Sequence, residues 1–186
     1  MKTKRVIAIA NQKGGVGKTT TAVNLGACLA EIGFRTLVVD LDPQGNASTG
    51  LGINPRALEA SMYDVLLGET PMEDCIEGSS VRNLFVAPAS LDLAGAEIEL
   101  VPAFSRELRL KRALDEVSEE YDYVLIDCPP SLGLLTVNSF AAATWSANLV
   151  RASYITRMIV EISRLSLRFR FTRSTLRTSW PRPSRA

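Results

Sequence analysis

Val6-Ile7-Ala8-Ile9-Ala10-Asn11-Gln12-Lys13-Gly14-Gly15-Val16-Gly17-Lys18-Thr19-Thr20 is the stretch whose reading decides the fold. Arg5 to Ala10 reads as a short buried strand, and the residues from about Gly17 to Glu31 read as a helix ended by Gly33. Strand, glycine-rich turn, Lys-Thr and helix in that order make a phosphate-binding loop credible. Glycines let successive backbone N–H groups curl around phosphate oxygens, and the helix N-terminus adds partial positive charge. Lys18 is then placed to reach the β- and γ-phosphates, and the Thr19 hydroxyl to ligate Mg²⁺. The loop departs from the usual G-x-x-x-x-G-K-[ST] spacing, with Gln12 at the first glycine position and a second lysine, Lys13, beside it.

Downstream, apolar runs alternate with helix-period segments, as expected of βαβ units around a parallel sheet. Strands are expected at Thr36 to Asp40, Leu84 to Ala87 and Tyr123 to Asp127, with a loop from Asp42 to Asn54 and a short helix around Ser61 to Leu67. Pro102 and Ser105 open a further helix to about Glu120, with Leu108, Ala113, Leu114 and Val117 expected on its buried face. Two of the strands end in acids. Leu37-Val38-Val39-Asp40-Leu41-Asp42 places two carboxylates two residues apart, so in extended geometry they point the same way and can share one site. Val124-Leu125-Ile126-Asp127 ends likewise, as expected of the Asp that holds Mg²⁺ through water in P-loop NTPases. In open α/β sheets these carboxyl ends face the ligand crevice.

Composition removes other chemistries. Among 186 residues there is no histidine, so a His-based zinc site or a Ser-His or Cys-His pair cannot be built. Cys28, Cys75 and Cys128 lack metal-ligand spacing and read as core or incidental, Cys28 among apolar helix neighbours and Cys75 in a polar loop. The apolar run Val6 to Ala10 is too short for a signal-peptide core or a membrane span, so a cytoplasmic protein is expected.

Lys13-Gly14-Gly15-Val16-Gly17-Lys18-Thr19 resembles the deviant Walker A box of the ParA/MinD superfamily of P-loop ATPases. Asn24 to Ala30, Asp40-Leu41-Asp42-Pro43-Gln44-Gly45-Asn46-Ala47, Leu93 to Leu100, Ser105 to Leu114 and Asp127-Cys128-Pro129-Pro130-Ser131-Leu132-Gly133 to Thr136 look like the chromosome-partitioning ParA/Soj branch. The resemblance implies a mostly parallel twisted sheet with helices on both faces, incomplete at its C-terminus. It also implies an ATPase acting in chromosome or plasmid segregation, in the cytoplasm and on the nucleoid, with a ParB-like partner and non-specific DNA. ATP and Mg²⁺ would drive a sandwich homodimer. By that resemblance Gly14, Gly15, Val16, Gly17, Lys18, Thr19 and Thr20 hold the nucleotide, and Lys13 reaches across to the partner's phosphates. Asp42 orients the attacking water, Thr19 sits at the metal, and Asp40 and Asp127 organise the metal's surroundings.

The resemblance covers about residues 4–143, and there the composition changes. Residues 1–143 hold 12 Lys+Arg and 19 Asp+Glu, whereas residues 144–186 hold nine Arg and one acid, Glu161, with no Lys, Gly or Asp. A partial ATPase domain over 1–143 and an Arg/Ser-rich tail over 144–186 are expected. A change of reading frame produces such a shift, so the tail is read as foreign to the domain and the chain as poorly soluble and nearly inactive. A purpose-built basic tail that binds DNA phosphates is the rival. A third reading, a membrane-associated ATPase similar to MinD, rests on the helical spacing of Ile155, Met158, Ile159, Ile162, Leu165 and Phe169 among arginines; the internal ParA-like stretches make membrane association the weaker expectation.

Overall fold

The computed structural model describes residues 5–148. Four of the expected elements stand at the bounds read from the sequence: strands β1 (Arg5–Ala10) and β2 (Thr36–Asp40), and the strands named β4 (Leu84–Ala87) and β5 (Tyr123–Asp127) below. β2 and β5 are buried at every residue, as apolar strands covered on both faces must be. Between them in the chain lie helices α1 (Lys18–Glu31), α2 (Asn46–Gly50), α3 (Met62–Leu67), α4 (Met72–Cys75), the two-residue strand β3 (Glu77–Gly78), α5 (Leu93–Glu99) and α6 (Arg109–Val117). After β5 come α7 (Leu134–Ala142) and β6 (Trp145–Asn148). The sheet order is β3-β4-β2-β5-β1-β6, parallel throughout except for β3 on β4.

That order positions the site. β5 lies between β1 and β2, with Asp127 registered against Ile9 on one side and Asp40 on the other. The Leu41 N–H donates to the Asp127 carbonyl and the Cys128 N–H to the Ile9 carbonyl, so the three carboxyl ends are tied together just past the strands. The first crossover therefore passes over β5 and delivers α1 and its preceding loop to the edge where the acids end. α1 buries Ala22, Leu25, Leu29 and Ala30. On α3, a capping box between Ser61 and Asp64 sets the first turn.

Several expectations are corrected. The region read as a loop from Asp42 to Asn54 contains α2. α6 begins at Arg109, because Ser105 takes a left-handed conformation (φ 53°) and a 3₁₀ turn, Arg106–Leu108, intervenes. That turn shifts the helical phase, so Leu110 is buried with Leu114 and Val117 while Leu108 is exposed. Cys28 is exposed on α1, and Cys75 is buried in α4 rather than lying in a polar loop. Beside these corrections, the Thr144 N–H donates to the Val6 carbonyl and β6 pairs with β1 from Ile7 to Ala10, which leaves the expected division of the chain at residue 143 untouched. The helical spacing expected from Ile155 to Phe169 lies outside the described residues. No helix among the described residues is long and apolar enough to cross a membrane.

Candidate functional site

Gly15 (φ 70°) and Gly17 (φ 89°) hold left-handed backbone that a residue with a Cβ rarely adopts, and Gly17 turns the chain into α1. The Lys13 N–H donates to Asn11 Oδ1 at 2.8 Å, which bends the start of the loop and leaves the Lys13 side chain exposed. Lys18 is buried at the first residue of α1, Thr19 is half-buried, and Thr20 is exposed. The Thr21 hydroxyl, which sequence reasoning missed, donates to the Gly17 carbonyl at 2.7 Å and locks the first helical turn under the loop.

Asp40 is fully buried and well satisfied. Its Oδ2 accepts from the Ser48 N–H at 2.8 Å and the Ser48 hydroxyl at 2.7 Å, and its Oδ1 accepts from the Asp42 N–H at 3.2 Å. Burial nonetheless pushes its carboxyl above the ordinary range, because these donors only partly offset the lost hydration. Ser48 is a site residue the sequence reading passed over. The Ala89 N–H donates to the Ser48 hydroxyl, so this residue also connects the end of β4 to the site. Asp42 is half-buried and lies beyond the extended strand, in a turn closed by Gly45 N–H to Asp42 O and by Gln44 N–H to Asp42 Oδ1. The two acids therefore divide: Asp40 is engaged in holding α2 and Asp42, while the Asp42 charge is felt at both Asp40 and Asp127.

Asp127 is the anomaly. It is fully buried, and neither carboxylate oxygen has a hydrogen-bond partner. Burial pushes its carboxyl up to about 7, and the Asp40 and Asp42 charges add to the rise. The Thr19 hydroxyl and the Lys18 ammonium work against it, Thr19 facing the carboxylate without closing a bond of good geometry. A buried acid without partners is costly, so the arrangement suits a hydrated cation or a bound polar group that supplies donors when it arrives. Cys128, next in the chain, is buried, and burial pushes its thiol up to about 11, which makes it an inert core residue. Among the described residues no three or more Cys, Asp and Glu side chains form a direct metal cage.

Lys18, Thr19, Asp40, Asp42 and Asp127 are thus brought to one edge of the sheet, with Gly14 to Gly17 directly before them and Lys13 on the exposed rim. Residues 4–154 match the family model described as an AAA domain, which runs past the compositional change near Ala143. The chain is 62% identical over 139 residues to the sporulation initiation inhibitor protein Soj of Bacillus subtilis, covering 75% of this chain and 55% of that protein. It is 55% identical over 139 residues to the chromosome partitioning protein ParA of Myxococcus xanthus, covering 75% and 49%. The chain spans about half the length of the curated relatives it matches. Among solved structures, cobyrinic acid a,c-diamide synthase from Mycobacterium smegmatis, with bound ATP analog and magnesium, superposes with a TM-score of 0.75 at 42% identity, over 88% of this chain and 69% of that one.

Proposed function

Because the chain belongs to the AAA-domain family and, within it, to the ParA/Soj partitioning ATPases of the ParA/MinD superfamily, we propose that it binds ATP with Mg²⁺ between β1 and α1 and hydrolyses it in chromosome or plasmid segregation. The observation that carries this reading is Asp127, a fully buried carboxylate with both oxygens unpartnered, facing Thr19 and Lys18 at the phosphate loop. Backbone N–H groups from Gly14 to Lys18 surround the phosphates, and the buried Lys18 ammonium neutralises them. The Thr19 hydroxyl and, through water, Asp127 would hold Mg²⁺. The chemistry that Mg²⁺ would supply there is the offsetting of negative charge that builds up in phosphoryl transfer. Asp40 acts at one remove by fixing Asp42 and α2, and Asp42 orients the attacking water.

Lys13 stands on the exposed rim, where a second copy bound face to face would receive it, so hydrolysis is tied to an ATP-dependent homodimer. A ParB-like protein stimulates turnover and non-specific DNA is the surface on which the dimer works, in the cytoplasm on the nucleoid. Titration of a fluorescent ATP analogue with Mg²⁺, followed by phosphate release, tests the assignment. Lys18→Ala should abolish binding; affinity equal to that of the parent would refute it. In a version that carries an intact C-terminal region, Asp42→Ala should keep binding and lose turnover, whereas Lys13→Ala should lose dimerisation and turnover together, by roughly 10³-fold as for trans-acting cations.

A further inference from the structure

The chain leaves Asp127 through Cys128, two stiff prolines, Ser131, Leu132 and Gly133 before α7 begins, so the position of that helix start governs where the connection runs. α7 has no side-chain cap of its own. The Leu135 N–H in its first turn instead donates at 3.3 Å to Oε1 of Glu97, which comes from α5, 38 residues earlier. A Cβ on Gly133 would collide with the Glu97 carboxylate, so the acid occupies the space that the missing side chain leaves. The same helix start is tied back to the connection by the Thr136 hydroxyl, which donates to the Ser131 carbonyl at 2.8 Å. A negative charge at a helix N-terminus is favourable, and here it also bridges two elements distant in sequence.

We propose that Glu97 is a positioning residue for the nucleotide site: its carboxylate, seated against Gly133, fixes the start of α7 and through it the connection that leads from Asp127. The proposal rests on the ATPase reading for its effect on turnover, but not for the Glu97–Leu135 bond itself. In P-loop NTPases the loops beside the γ-phosphate order on binding and release on hydrolysis, so a tether on such a connection acts on the chemical step more than on affinity.

Three variants test it: Glu97→Ala removes the acceptor, Glu97→Gln keeps a neutral one, and Gly133→Ala displaces the carboxylate without deleting it. Glu97→Ala and Gly133→Ala should lower kcat about tenfold with ATP affinity within twofold of the parent, and Glu97→Gln should recover at least half of the parental kcat. Hydrogen exchange is measured alongside on nucleotide-free protein, where the Leu135 amide should exchange at least fivefold faster in Glu97→Ala. Parental kcat in Glu97→Ala, or no recovery in Glu97→Gln, overturns the positioning role. If the parent itself neither binds nor hydrolyses ATP, the ATPase reading falls instead, and exchange at Leu135 alone decides the tether: faster in Glu97→Ala upholds it, unchanged refutes it.

Discussion

Asp127 is ionised at a cost. In the nucleotide-free protein its carboxyl is pushed up to about 7 from the ordinary 3.8, chiefly by burial, so between those values the folded chain holds a proton that the unfolded chain releases. Stability therefore falls as pH rises through this window and levels off above about 7. A shift of that size corresponds to at most on the order of 4 kcal/mol. Asp127→Asn removes the charge and keeps the shape, so without nucleotide it should melt at least about 4 °C above the parent at pH 8. The gain should shrink toward pH 4.5, where the parent carboxyl is protonated when folded. Melting curves of both proteins at the two pH values check this, and a gain that stayed the same at both would refute the stored cost. The same variant should hydrolyse ATP poorly, since the group that destabilises the empty site is the one proposed to serve the filled one.

At the level of elements, α6 and α7 are joined by one buried side chain. Asn138 donates from Nδ2 to the Arg106 carbonyl at 2.9 Å and the Leu134 carbonyl at 3.0 Å, and its Oδ1 accepts from the Leu110 N–H at 3.1 Å. Leu110 sits in the first turn of α6, so a residue of another helix supplies an acceptor to the start of a helix that has no side-chain cap at its own N-cap. Asn138→Ala strands a buried donor and a buried acceptor and should cost about 2–4 kcal/mol in chemical denaturation; a loss below about 1 kcal/mol would show that water replaces the amide. This bond also marks what the sequence left hidden. β1, β2 and β5 were legible because each is an apolar run rich in β-branched residues that leads into a glycine-rich turn or ends in an acid, and β4 because it is a short apolar run stopped by Pro88; the terminal acids Asp40 and Asp127 belong to the site. α5, α7 and α2 are seven, nine and five residues long without local caps, and tertiary bonds from Glu97, Asn138 and Asp40 hold them. No residue type or spacing marks such bonds, whose partners lie eight residues away for Ser48, 28 for Asn138 and 38 for Glu97. Ser48 and Asn138 therefore gave no pattern to read, and Glu97 entered only within the family-like stretch Leu93 to Leu100. Leu108 was misplaced for a related reason, because an unpredicted 3₁₀ turn rotated the helix that follows it.

Charge is distributed unevenly over the whole molecule, and this bears on the DNA that a partitioning ATPase is proposed to use. Residues 1–143, which contain every residue of the candidate site, carry 12 Lys+Arg against 19 Asp+Glu, so their long-range field repels a polyphosphate. The compensating charge is nine arginines between Arg151 and Arg185, opposed only by Glu161. Whatever the origin of that segment, its guanidinium groups can displace counterions from a duplex, and the salt dependence of affinity reports how many do. Replacing Arg168, Arg170, Arg173 and Arg177 together by Ser should weaken binding to duplex DNA at low salt. It should also make the slope of log affinity against log salt shallower by roughly 0.9 for each phosphate that is no longer neutralised, while nucleotide affinity at Lys18 stays at the parental value. Fluorescence anisotropy of labelled DNA from about 50 to 200 mM salt measures both quantities for parent and variant. An unchanged slope would place the DNA-binding surface on the acidic body instead, where only a local cluster of lysine and arginine side chains facing the duplex could overcome the net repulsion.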